Sequence, residues 1–156
     1  MARIFGYPGV SQSIVIGDAA LAVFQAHRQT GFREEAGGLL FATIKSTGLH
    51  IVEATPPHPK DSRARLSFRL DLEIVQSTIN ERFQHNLHYV GEWHTHPEHI
   101  PTASKRDLTT MASAFSKSRL GISSLTMIIV GKKINGNGLW VSLHNQKGYL
   151  RLCETE

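Results

Sequence analysis

Residues 91–108, GEWHTHPEHIPTASKRDL, constrain the fold of this 156-residue chain more than any other stretch. His94 and His96 stand two apart at the end of an expected strand, roughly Tyr89 to His94. Alternate residues of a strand share a face, so both imidazoles point the same way and can bind one ion. Pro97 and Pro101 bracket a loop, and Thr102 or Ser104 can cap a helix reaching about Ser118. Asp107 falls near the beginning of that helix. The fold must therefore return the start of this helix to the end of the preceding strand if Asp107 is to supply a third ligand.

Two histidines and one carboxylate leave a fourth tetrahedral position for water, the arrangement of a catalytic rather than a structural zinc site. Zinc lowers the pKa of a bound water from about 15.7 to about 7 and polarises a carbonyl. A base must still take the proton. Glu35 precedes an expected strand in which Gly37 and Gly38 permit close backbone approach, and its carboxylate can face the ion without binding it. Ser104 lies one helical turn before Asp107, where its hydroxyl can donate to a tetrahedral oxyanion or serve as an ordinary N-cap.

With nine His in the chain, a bare His-x-His pair arises by chance in roughly half of comparable sequences. Adding Pro97, Ser104 and Asp107 at fixed offsets reduces that to roughly one in ten thousand, so coincidence is a poor explanation. The sequence resembles the JAMM (MPN+) metalloproteases, whose signature is Glu, then His-x-His-Pro, six residues, Ser, two residues, Asp. His94-Thr95-His96-Pro97, Ser104 and Asp107 align without a gap, and Glu35-Ala36-Gly37-Gly38-Leu39-Leu40 is similar to the family's Glu-x-x-Gly-x-Leu segment. The resemblance spans roughly Ala19 to Val130. It implies Zn2+ held by His94, His96 and Asp107, with Glu35 (rather than Glu34) as base and Ser104 at the oxyanion, in a cytidine-deaminase-like α/β domain. Short length and GEWHTHPE look most similar to the bacterial deconjugating peptidases of CBASS antiphage operons. That likeness implies a protein substrate, a ubiquitin-like modifier or the C-terminal tail of a conjugated CD-NTase cut after its terminal glycine. Sulfur-carrier tail processing and a non-catalytic JAMM-like scaffold are the alternatives.

Composition narrows the remaining classes. Cys153 is the only cysteine, which excludes intramolecular disulfides, cysteine-rich zinc sites and the Pro-Cys-x-x-Cys pair of zinc deaminases. No apolar run suits a signal peptide or a membrane span, so a soluble cytoplasmic protein is expected. A formal charge of +4 admits an acidic partner, but the densest basic group is only Lys60, Arg63, Arg65 and Arg69, which reads as a solvated loop ahead of a nucleic-acid surface.

One domain is expected over residues 1–156. Ser13–Ile16 reads as a strand, followed by a helix from Ala19 to Thr30 capped by Gly17-Asp18 and stopped at Gly31. Gly38–Ile44 and Leu49–Ala54 read as a hairpin, and TPPHPKDSRAR as a loop. Leu66, Phe68 and Leu70 alternate as a strand, and Asp71 can cap a helix carrying Leu72, Val75, Ile79 and Phe83. Strands at Leu125–Val130, Leu139–His144 and Tyr149–Cys153 complete the order βαβββαβαβββ. These elements imply a mixed, largely antiparallel sheet flanked by helices, with an open edge beside the metal to which an extended tail can add. Trp93 is expected in the core, Tyr89 in the core or at its rim, and Glu98 and His99 in a solvated loop.

Overall fold

The strands close on themselves. A computed structural model describes residues 1–64, 67–69, 71–117 and 123–155. In chain order its elements are β1 (Arg3–Gly6), β2 (Ser13–Ile16), α1 (Asp18–Ala26), β3 (Gly37–Lys45), β4 (Gly48–Ala54), β5 (Ser62–Ala64), β6 (Ser67–Arg69), α2 (Leu72–Phe83), β7 (His88–Thr95), α3 (Lys105–Lys117), β8 (Leu125–Val130), β9 (Leu139–Asn145) and β10 (Gly148–Thr155). The main sheet is a closed barrel in the order β1-β10-β9-β8-β7-β3-β4-β2, and β5 and β6 form a separate antiparallel ribbon. Among the described residues only β2 with β4 and β7 with β8 pair in parallel, so the sheet is mixed and mostly antiparallel as expected.

Closure corrects the expectation of an open edge at the site. β7 is hydrogen-bonded to β3 on one side and to β8 on the other, and no row of free backbone donors remains there for an added strand. The closing element is β1, which sequence reading passed over. Its four residues, RIFG, show too little alternation to signal a strand, yet they bridge β10 and β2. Helix α1 also ends at Ala26 rather than Thr30, which frees residues 27–36 to form the loop that leads into β3. β5 falls inside the expected loop. Leu66, Leu70, Arg65 and Ser118 lie outside the described residues, as do the side chains of Arg63 and Arg69.

Two apolar clusters flank the sheet. The inner one takes Trp93 of β7, Ile128 and Val130 of β8 and Val141 of β9 together with Ala20, Leu21 and Phe24 of α1. The outer one takes Met127 and Ile129 of β8 and Trp140 of β9 beneath Met111 of α3. All six residues of β8 are therefore buried, which is why it reads as an unbroken apolar run. Met111 is 2% exposed, and truncating it to alanine would cost about 2–5 kcal/mol. That contact seats α3 against the sheet and fixes where its first turn lies.

Candidate metal centre

The end of β7, the first turn of α3 and the loop before β3 meet at one point. His94 on β7 and His96, the residue just past its end, project to the outer side, while Trp93 turns inward, where its indole N–H donates to the Thr55 carbonyl at 2.9 Å. Ser104 caps α3 reciprocally with Asp107: the Asp107 N–H donates to Ser104 Oγ at 3.0 Å, and the Ser104 N–H donates to Asp107 Oδ2 at 2.9 Å. The cap locks the Asp107 carboxylate toward the strand. Its Oδ1 lies 3.2 Å from His94 Nε2 and its Oδ2 lies 3.2 Å from His96 Nε2, and the two Nε2 atoms are 3.1 Å apart.

Those separations test whether a metal fits. Bonds of about 2.0–2.1 Å to zinc place the corners of a tetrahedron about 3.3 Å apart, close to the 3.1 Å between the two imidazole nitrogens and to the 3.2 Å from each of them to one or other Asp107 oxygen. The side chains of His94, His96 and Asp107 keep 13%, 14% and 16% of their surface exposed, so solvent or substrate reaches the cluster. Glu35 approaches from the third side. One of its carboxylate oxygens and ring nitrogens of His94 and His96 all lie within 4.8 Å of one another. Two carboxylates thus compete for the third ligand position, Asp107 with an oxygen 3.2 Å from each imidazole and Glu35 with one within 4.8 Å of both.

Electrostatics separates the two acids. Burial pushes Asp107 up, but hydrogen bonds with His94 and His96 outweigh it and hold the carboxyl far below its ordinary range. Glu35 is 6% exposed, and burial raises its pKa despite the two imidazoles nearby. Asp107 stays anionic as a ligand should, whereas Glu35 sits closer to the working range of a base. For His96, burial acts to lower the pKa, but hydrogen bonds to Asp107 and Glu98 raise it.

Glu98 is the residue sequence reading undervalued. Its Oε1 accepts a hydrogen bond from His96 Nδ1 at 2.9 Å, so the other ring nitrogen is turned toward Asp107. The loop is held in place by Lys132 N–H, which donates to the Glu98 carbonyl at 2.8 Å, and by Gly131, where a Cβ would lie 2.7 Å from that same oxygen. The spacing His-x-Glu just past a strand carried the signal. Gly38 is needed as expected: a Cβ there would strike the Thr55 carbonyl oxygen and stand 2.9 Å from Trp93 Nε1. His99 is exposed, and Tyr89 is half-buried at the margin of the outer cluster.

Comparison with known proteins identifies the family of the domain. The family model described as prokaryotic homologs of the JAB domain matches residues 18–143. A protein of Enterobacter hormaechei subsp. hoffmannii named CD-NTase/cGAS isopeptidase is 32% identical over 130 residues, covering 81% of this chain and 72% of that one. A protein of Pseudomonas aeruginosa with the same name is 32% identical over 129 residues, covering 80% and 78%. The solution structure of a protein from Desulfitobacterium hafniense superposes with a TM-score of 0.65 at 16% identity, covering 87% of each chain, a likeness of fold.

Proposed function

The chain belongs to the prokaryotic homologs of the JAB domain, and from that premise we propose that it is a zinc-dependent isopeptidase. It hydrolyses the bond after the C-terminal glycine of a ubiquitin-like modifier or a conjugated CD-NTase. The observation that carries this reading is the convergence of His94, His96 and Asp107 at 3.1–3.2 Å with the Glu35 carboxylate beside them. The names of the similar proteins support the substrate class, and with it a role in CBASS signalling.

Bound zinc would polarise the scissile carbonyl and acidify the attacking water. The chain's own groups do the rest. Glu35 takes the proton from water and delivers it to the leaving amine, a transfer suited to a carboxyl raised by burial. Ser104 Oγ already accepts the Asp107 amide, which leaves the hydroxyl proton to donate toward the oxyanion. Glu98 keeps the His96 ring turned. With no edge of the barrel beside β7, the tail must be gripped by loops and side chains around the centre rather than by strand addition to that sheet.

The assay fuses a candidate modifier through its C-terminal glycine to a reporter. Cleavage immediately after the glycine is expected, lost when a bulky residue replaces it and lowered roughly 10²- to 10⁴-fold by Glu35→Ala with zinc retained. Equal cutting of unrelated unfolded peptides would instead indicate a general protease and sink the substrate reading. Ser104→Ala is expected to cost about 10²- to 10³-fold in rate; a normal rate would leave Ser104 as a cap alone.

A further inference from the structure

The loop carrying Glu35 is tied to the metal-bearing strand by hydrogen bonds that none of the steps above uses. Thr95 stands between the two histidines on β7, and the strand's alternation turns its side chain away from theirs. Thr95 Oγ1 accepts the Ala36 N–H at 2.9 Å and donates to Gln29 Oε1 at 3.1 Å. The Thr95 N–H in turn donates to the Ala36 carbonyl at 2.9 Å. Gln29 and Thr95 are 0% exposed and Ala36 is 1% exposed, so water does not compete for these groups.

A hydroxyl has one proton, and here Gln29 takes it, which leaves an oxygen lone pair facing the Ala36 amide. Gln29 therefore sets the rotation of the Thr95 hydroxyl. Glu35 is covalently next to Ala36, and His94 and His96 are covalently next to Thr95. The base and both imidazoles are thus one peptide link from opposite ends of the same hydrogen bond. A buried amide side chain is costly unless bonded, and an apolar residue would fill the position of Gln29 without that cost.

We propose that Gln29 and Thr95 are positioning residues that hold the Glu35 carboxylate in register with the metal centre, a role that rests on the base assignment made above. The zinc-loaded full chain is compared with Thr95→Val, Thr95→Ser, Gln29→Leu and Glu35→Gln for kcat, KM, metal content and thermal midpoint, and for exchange of the Ala36 amide by NMR. A misplaced base slows the chemical step without weakening substrate binding, so kcat is expected to fall about 10²-fold in Thr95→Val and Gln29→Leu with KM little changed. Metal stays at the parent's level, Ala36 exchanges faster, and Thr95→Ser recovers most of the rate that Thr95→Val loses. Should Thr95→Val not fold, Gln29→Leu against the parent makes the same comparison. Parent-like kcat in Gln29→Leu while Glu35→Gln is inactive overturns the proposal, as does a loss of rate matched by loss of metal. Full activity of Glu35→Gln removes the base assignment itself, and the positioning role with it.

Discussion

Strands β7 and β9 carry histidines on the same outer face of one barrel, and the two sites have opposite proton affinities. The register makes them comparable, since His94 stands in one row with Ile129 and Trp140, and Met127 links the next row to Ser142. On β9, Trp140 Nε1 donates to Ser142 Oγ at 2.8 Å, and Ser142 Oγ lies 2.7 Å from His144 Nε2. Tyr149 stacks on His144, and Arg151 sits 4.4 Å above the Trp140 ring. His144 is 2% exposed, and burial pushes its pKa down to about 4. His96 is raised, because Asp107 and Glu98 answer the desolvation that His144 meets with a neutral hydroxyl alone. Hydroxyl partners make a sealed structural histidine, and carboxylate partners make a cationic or metal-binding one. Helix α3 decides which is which, laying Asp107 over β7 and Met111 over Trp140.

Removing the carboxylate should erase that difference. Asp107→Ala takes away one donor and the charge facing both imidazoles, so elemental analysis is expected to find one zinc per chain in the parent and none in the variant. Full occupancy in this variant would hand the third ligand position to Glu35.

Acid should act on the β9 site with the next largest effect. The unfolded imidazole takes up a proton near pH 6.5 and the folded His144 only near pH 4, so the unfolded state binds more protons between those values. Stability therefore falls as pH drops through that window, by at most about 3 kcal/mol. His96 in metal-free protein has the opposite sign: its raised pKa gives stability that is present at low pH and fades as pH rises through the folded value. Urea titrations at several pH values, parent against His144→Gln, measure the first effect. An identical acid slope in both proteins would place the titration elsewhere.

The smallest effect is expected at Glu98. Its side chain is 47% exposed and its contribution is to turn the His96 ring, so Glu98→Gln should weaken zinc binding by roughly tenfold, the low end for such orienting groups. Competition with a chromophoric chelator gives the number. An unchanged affinity would show that packing alone orients the ring.

Much of this site was legible in the chain because its parts are local. His94 at the end of β7 and His96 just past it point to one side, Ser104 caps the turn that carries Asp107, and Asp71 caps α2 through Ile74 as its position implied. Glu98 was undervalued because a loop carboxylate two residues past a histidine is ordinary until the Lys132 contact fixes the loop. Gln29 was not singled out, since the expected helix ran through it to Thr30 whereas the chain leaves α1 at Ala26.

By itself the sequence determined the period-two and helical spacings, the capping residues and the donor types, since each follows from backbone geometry within a few residues. Tertiary structure alone decided that β1 closes the barrel, that β7 has no free edge, and how closely Asp107 and Glu35 approach the pair of imidazoles from their different elements. These depend on contacts between residues far apart in the chain, where register and packing rather than local preference select the partner.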